Sequence, residues 1–163
     1  VIMLPIQIRT GLLSLLLVST SALAVDHAPS HDHHKPSAGL HLNQGQRWVT
    51  DAPLRQGMSG IREALIIAVH ADTAHPLSAA EAGKLADAIR TQTDYLIANC
   101  VLTPKADAVL HVLLGQLLEG AEALRQNPAD EAALHHIITA LKDYPVCFNH
   151  EGWKPVTTAT PAP

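Results

Sequence analysis

Aromatic side chains are scarce in this chain, at 3 % of 163 residues, and cysteine occurs only twice, at Cys100 and Cys147. With so few rings and so much Ala and Leu, close-packed helices are favoured over a sheet sandwich. Two cysteines this far apart exclude the C-x-x-C-H attachment of a covalent haem. Beyond the leading segment no stretch offers about twenty uninterrupted apolar residues, so no membrane-spanning helix is expected there. Phosphate-binding and dinucleotide glycine loops are missing, as are H-E-x-x-H and G-x-S-x-G. A di-iron bundle needs Glu-x-x-His pairs on facing helices, and the nearest approach, Glu131 with His135, has the wrong spacing. Nothing repeats internally. A non-catalytic protein is expected, and a purely structural or protein-interaction module is one of the readings open to it.

The leading segment points to export. Residues 1–10 carry one cation, Arg9, before the apolar run GLLSLLLVSTSALA. Ala22-Leu23-Ala24 has the A-x-A form that signal peptidase reads, which predicts cleavage after Ala24 and a periplasmic location. Val25 stands where a lipid-anchored protein would need Cys. Without Arg9, ten Lys and Arg face fifteen Asp and Glu, an acidic balance that argues against nucleic acid and anionic membranes as partners. The expected organisation is a signal peptide over 1–24, a flexible His-rich segment over 25–49, a helical domain over 50–150 and a disordered Pro/Thr-rich tail over 151–163.

What the chain does have is histidine in one place. His27, His31, His33, His34 and His41 crowd the run DHAPSHDHHKPSAGLH, with almost nothing apolar between them. Neutral imidazole binds borderline transition metals near neutral pH. In an exported chain these five residues are candidate ligands for a transition metal, copper or zinc first, with a periplasmic redox or metal-transfer protein as a possible partner. The competing reading is a polar linker in which His is merely abundant.

Four helical segments follow. The first opens at Thr50-Asp51-Ala52-Pro53 and places Leu54, Met58, Ile61, Leu65 and Ala68 on one stripe until His75-Pro76. The second opens with the capping box Ser78-Ala-Ala-Glu81 and carries Ala82, Leu85, Ile89, Leu96 and Cys100. Thr103-Pro104 opens the third, with Leu110, Leu113, Leu114, Leu117, Ala121 and Leu124 inward. Asn127-Pro128 opens the fourth, with Leu134, Ile137, Ile138, Leu141 and Tyr144 inward until Pro145 stops it. Connections this short predict an all-α, up-down-up-down antiparallel four-helix bundle.

In such a bundle Met58, Cys100, His111, Cys147 and His150 share one pole. Thioether, thiol and imidazole together suit copper, zinc or haem iron. Against that, Met58 serves equally as core filler and His111 as a hydrogen-bonded edge residue. Cys100 and Cys147, at one pole in an oxidising compartment, are expected to form a disulfide, which would remove both as thiolate ligands. His135 and His136 are adjacent in helix four, about 100° apart, so one metal cannot take both. His70 and His75 flank the first turn as solvated residues. Trp48 and Trp153 bracket the bundle as a hydrophobic cap.

The run KADAVLHVLLGQLLEGAEALRQNPADEAALHHIITALKDYPVCFNH resembles the second half of the periplasmic b-type cytochromes of the four-helix-bundle class. The resemblance spans most of residues 51–150. Met58 in RQGMSGIREAL and His150 in CFNHEGW match the two haem ligands of that family, near the start of helix one and the end of helix four. It implies an electron-transfer protein holding haem b through Met58 and His150; His111, from its place at the same pole, is a further candidate cofactor-binding residue.

Overall fold

The computed structural model describes residues 37–70 and 76–157. The expected signal peptide and cleavage site, and His27, His31, His33, His34 and His75, lie outside the described residues. Among those that are described, the chain runs β1 (Trp48–Val49), α1 (Ala52–His70), α2 (Ala79–Asn99), α3 (Pro104–Gln126), α4 (Glu131–Cys147) and β2 (Phe148–Asn149). The described residues are all-α in class, with four helices, as the periodicity predicts. No described helix is long and apolar enough to cross a membrane.

Local chemistry sets each helix start. The Asp51 carboxylate accepts from the Leu54 N–H at 2.8 Å, satisfying one of the free donors of α1's first turn. Ser78 and Glu81 form the expected capping box of α2. Thr103 accepts from the Ala106 N–H, with Pro104 opening α3. At α4 the prediction needs correcting. Asn127 ends α3 and residues 127–130 turn, Asp130 N–H donating to the Asn127 carbonyl, so that Asp130 rather than Asn127 caps α4.

The end of α4 is a second correction. Pro145 does not stop the helix, which continues to Cys147. Pro145 lacks the N–H that would reach the Leu141 carbonyl. Being in the last turn, it forfeits one bond only, and the Phe148 N–H still reaches the Tyr144 carbonyl to close the end.

Packing is sequential: α1 against α2, α2 against α3 and α3 against α4. Leu54, Met58, Ile61 and Leu65 of α1 are fully buried, together with Ile89 and Leu96 of α2, Leu113 and Leu117 of α3 and Ile137 and Leu141 of α4. Each such side chain contributes about 1.5–3 kcal/mol through burial. Two close approaches depend on glycine. A Cβ on Gly57 would stand 2.5 Å from Leu96 Cδ2, and one on Gly120 would stand 2.6 Å from Ile137 Cγ1.

Contacts of the described residues extend to either side of the expected helical domain. The segment expected to be flexible up to residue 49 is held from Ser37 onward. Ser37 N–H donates to the Asp143 carboxylate at 3.1 Å, and Trp48 Nε1–H donates to the His41 carbonyl at 2.8 Å. Gly39, at φ +88°, passes against the Val112 side chain. The tail expected to be disordered from residue 151 buries Val156, and Arg62 Nε donates to the Lys154 carbonyl. β1 and β2 pair in parallel, Trp48 opposite Phe148 and Val49 opposite Asn149, joining the two ends of the helical domain.

Candidate functional site

The chemistry-bearing residues gather at the end of the fold where residues 48–51, 100–106 and 144–153 meet. Asp51 ties this junction together. Beyond capping α1, its Oδ2 accepts from the Val101 N–H at 2.7 Å, and its carboxylate takes a hydrogen bond from the Cys100 thiol. Arg55, one turn into α1, donates from Nη1 to the Thr50 carbonyl at 2.8 Å and to Thr50 Oγ1 at 3.1 Å. Thr50 in turn donates to the Asn149 carbonyl at 2.9 Å, which ties the start of α1 to β2.

Beside this junction Tyr144 organises an aromatic knot. Phe148 stacks on it at a ring separation of 5.4 Å, and Trp153 meets it edge-on at 4.8 Å. His150 packs against Tyr144 and Trp153 at 5.7 and 5.1 Å, with the Tyr144 hydroxyl 3.0 Å from His150 Nδ1. Burial pushes the Tyr144 phenol above its ordinary range. Burial lowers His150 below its ordinary value, and the nearby Arg55 guanidinium lowers it further. At neutral pH this pair is a neutral phenol bonded to a neutral imidazole.

The expected disulfide is not formed: Cys100 and Cys147 are both free thiols. They face different surroundings. Cys100 follows the end of α2, bonded through its N–H to Leu96 and through its thiol to Asp51. Cys147 is sealed in the last turn of α4, within the core. Burial first, and then neighbouring carboxylates, raise both thiols to about 11. Both therefore stay protonated near neutral pH and are weak nucleophiles and poor unassisted ligands.

The remaining predicted site residues are dispersed. Met58 is fully buried in the core, on the predicted stripe. His111 is exposed on α3, its Nδ1 3.0 Å from the Asp107 carbonyl and 3.4 Å from the Asp107 carboxylate. No hydrogen bond or ring contact joins His111 to His150. His41 is exposed where the N-terminal segment meets Trp48, with ring centroids 6.0 Å apart. His135 and His136 are exposed on α4. Among the described residues no group of three or more His, Cys, Asp or Glu is arranged to hold a metal ion.

Met58 and His150, the two residues expected to hold haem, stand in different surroundings. The Met58 thioether is sealed among core side chains, and the His150 ring is wedged between Tyr144 and Trp153. Two clefts at this end are lined by other described residues. One of about 230 Å³ lies between Trp48, Asp51, Val101 and Ala106, and one of about 350 Å³ between Thr50, Arg55, Asn149 and Glu151.

Sequence reasoning missed Asp143, a carboxylate with no exposed surface that anchors Ser37. Its signal was present: an Asp lies between Leu141 and Tyr144 on the inward side of α4, where a charge needs a partner. It also missed the second role of Asp51, which only the fold brings to Val101 and Cys100. Compared with protein-family models, curated proteins and solved structures, the chain gives no match.

Proposed function

We propose that this is an exported, periplasmic, non-catalytic protein that binds a transition metal, copper or zinc, through its His-rich segment. An up-down-up-down antiparallel four-helix bundle serves as the rigid carrier. The single observation that carries the reading is how the root of that segment is held. Five histidines fall within residues 27–41, and the chain just after His34 is fixed to the bundle by Ser37 on Asp143 and by His41 on Trp48. Five imidazoles within one short run of chain are held at high effective concentration for one another, which favours multidentate capture of a borderline metal.

Paired contacts support the antiparallel arrangement. Gly57 meets Leu96 and Gly60 meets Gln92, so that numbers rise along α1 as they fall along α2. Asp87 pairs with Arg125, and Arg90 lies 4.0 Å from Glu122, which gives the same opposed order for α2 and α3. Linkers of four residues at 100–103 and 127–130 leave room for reversal only.

Native mass spectrometry of the protein with all five of His27, His31, His33, His34 and His41 replaced by Ser tests the metal reading. Bound zinc or copper should fall to background. An unchanged metal stoichiometry would overturn it.

A further inference from the structure

Arg55 is a half-buried cation with no carboxylate partner among the described residues. A guanidinium has N–H donors on all three nitrogens, and here only Nη1 is committed, to the Thr50 carbonyl at 2.8 Å and Thr50 Oγ1 at 3.1 Å. Nε–H and the Nη2–H groups bond to nothing among the described residues. Together they form one edge of the fork, the edge that a carboxylate takes with two parallel hydrogen bonds. Neighbouring groups leave it unanswered. Asp51, one turn earlier, engages its carboxylate with the Leu54 and Val101 N–H groups and the Cys100 thiol, and lines a different cleft. Tyr144 and His150, on which the Arg55 charge also acts, are neutral at neutral pH.

Arg55 lines the cleft of about 350 Å³ that Val49, Thr50, Asn149 and Glu151 complete. That volume lies within the range of small-molecule sites. Three kinds of surface meet there. Thr50, itself buried and bonded to the Asn149 carbonyl, holds the guanidinium in place, which lowers the ordering cost of binding. Glu151, on the turn after β2, is exposed and has no partner among the described residues, and no ion pair joins it to Arg55. Val49, 80 % exposed, adds an aliphatic wall. A guanidinium edge, a separate carboxylate and an apolar wall complement a small molecule carrying a carboxylate, an ammonium and an aliphatic group. A phosphate dianion is disfavoured, because a single guanidinium would meet it beside the Glu151 charge.

We infer that this cleft binds an apolar α-amino acid, its carboxylate on the Nε–Nη2 edge of Arg55, its ammonium toward Glu151 and its side chain against Val49. The cleft uses none of the histidines of the proposed metal-binding segment. Metal capture and amino-acid binding therefore stand or fall separately.

The test is titration of the full chain, freed of metal, with L-leucine at neutral pH, followed through the backbone amide resonances. L-Leucine should shift amides of residues 49–55 and 149–152 to saturation. L-Leucinamide, which lacks the carboxylate, should bind at least tenfold more weakly, and isocaproate, which lacks the ammonium, severalfold more weakly. Arg55→Lys keeps the charge but loses the fork, and should weaken L-leucine at least tenfold. Glu151→Gln should weaken L-leucine severalfold and leave isocaproate unchanged. Glu151 is exposed, so its variant retains the fold, which far-ultraviolet circular dichroism verifies; the two analogues need no variant at all. Equal binding of L-leucine and L-leucinamide would overturn the site. So would shifts confined to other residues, or no saturable shift. If Glu151→Gln weakens isocaproate as much as L-leucine, or changes neither, the ammonium contact is wrong and the amino-acid assignment falls.

Discussion

The Tyr144 hydroxyl and His150 Nδ1 lie 3.0 Å apart, in a knot of rings that also holds Trp153. Because burial and Arg55 lower His150 below its ordinary value, the folded protein binds less proton there than the unfolded chain at mildly acid pH. Stability from this group is complete above the ordinary histidine value, about 6.5, and is lost as pH falls through and below it. Urea midpoints at pH 8 and pH 5.5 should differ less in His150→Gln than in the unaltered protein. Equal differences would show that His150 carries none of the pH dependence.

The two thiols should behave as a pair of free but unequal groups. A thiol reagent should label Cys100 in the native protein and Cys147 only on unfolding, giving two thiols per chain in total without reductant. Their folded values near 11, against 9.0 for an ordinary thiol, mean that the unfolded chain loses its protons first. Stability should therefore decline as pH rises from about 9 towards 11, and less steeply in Cys147→Ala. Absence of titratable thiol in the unfolded protein would contradict the free state.

Asp143 pins Ser37 while itself fully buried. Asp143→Ala removes an acceptor from a desolvated N–H, at a cost of about 1–3 kcal/mol. The same change should speed amide exchange over residues 37–41 more than in the middle of α3. Uniform acceleration across the molecule would mean that the contact does not hold the segment locally.

Glycine replacements should separate crowding from propensity. A Cβ at Gly120 meets Ile137 at 2.6 Å and the Ala133 carbonyl at 3.1 Å, so Gly120→Ala should destabilise by about 1–3 kcal/mol through overpacking. A Cβ at Gly83 would meet nothing within 4 Å, and Gly83→Ala in α2 should stabilise by about 0.5–1 kcal/mol. Thermal denaturation of the two variants should move in opposite directions.

The helices were legible because their signals are local. Stripes at three- and four-residue steps, the Ser78–Glu81 box and Thr103-Pro104 act within one turn and survive into the fold. What escaped was set by contacts distant in sequence. Ser37 reaches Asp143, Trp48 pairs beside Phe148, and Asp51 reaches Val101, none of which has a local pattern. Pro145 misled for a related reason: its cost depends on how much helix follows it, and only two residues do. The Cys100–Cys147 bond failed because a shared end of the molecule does not make two thiols neighbours. Met58 does sit on the inward stripe, yet inward position alone does not distinguish a packed thioether from a ligand.

Pairing of β1 with β2 has a kinetic consequence. Trp48 and Phe148 are 100 positions apart, whereas each helix packs against its neighbour along the chain. Closing so long a loop costs roughly 4 kcal/mol of chain entropy, beyond a length-independent part, before its contacts form. The clasp should therefore form late, after packing of neighbouring helices has shortened the effective loop. Its dissolution is then an early step in unfolding, freeing Trp48 and Trp153 together. Tryptophan fluorescence would register that release ahead of the loss of helix.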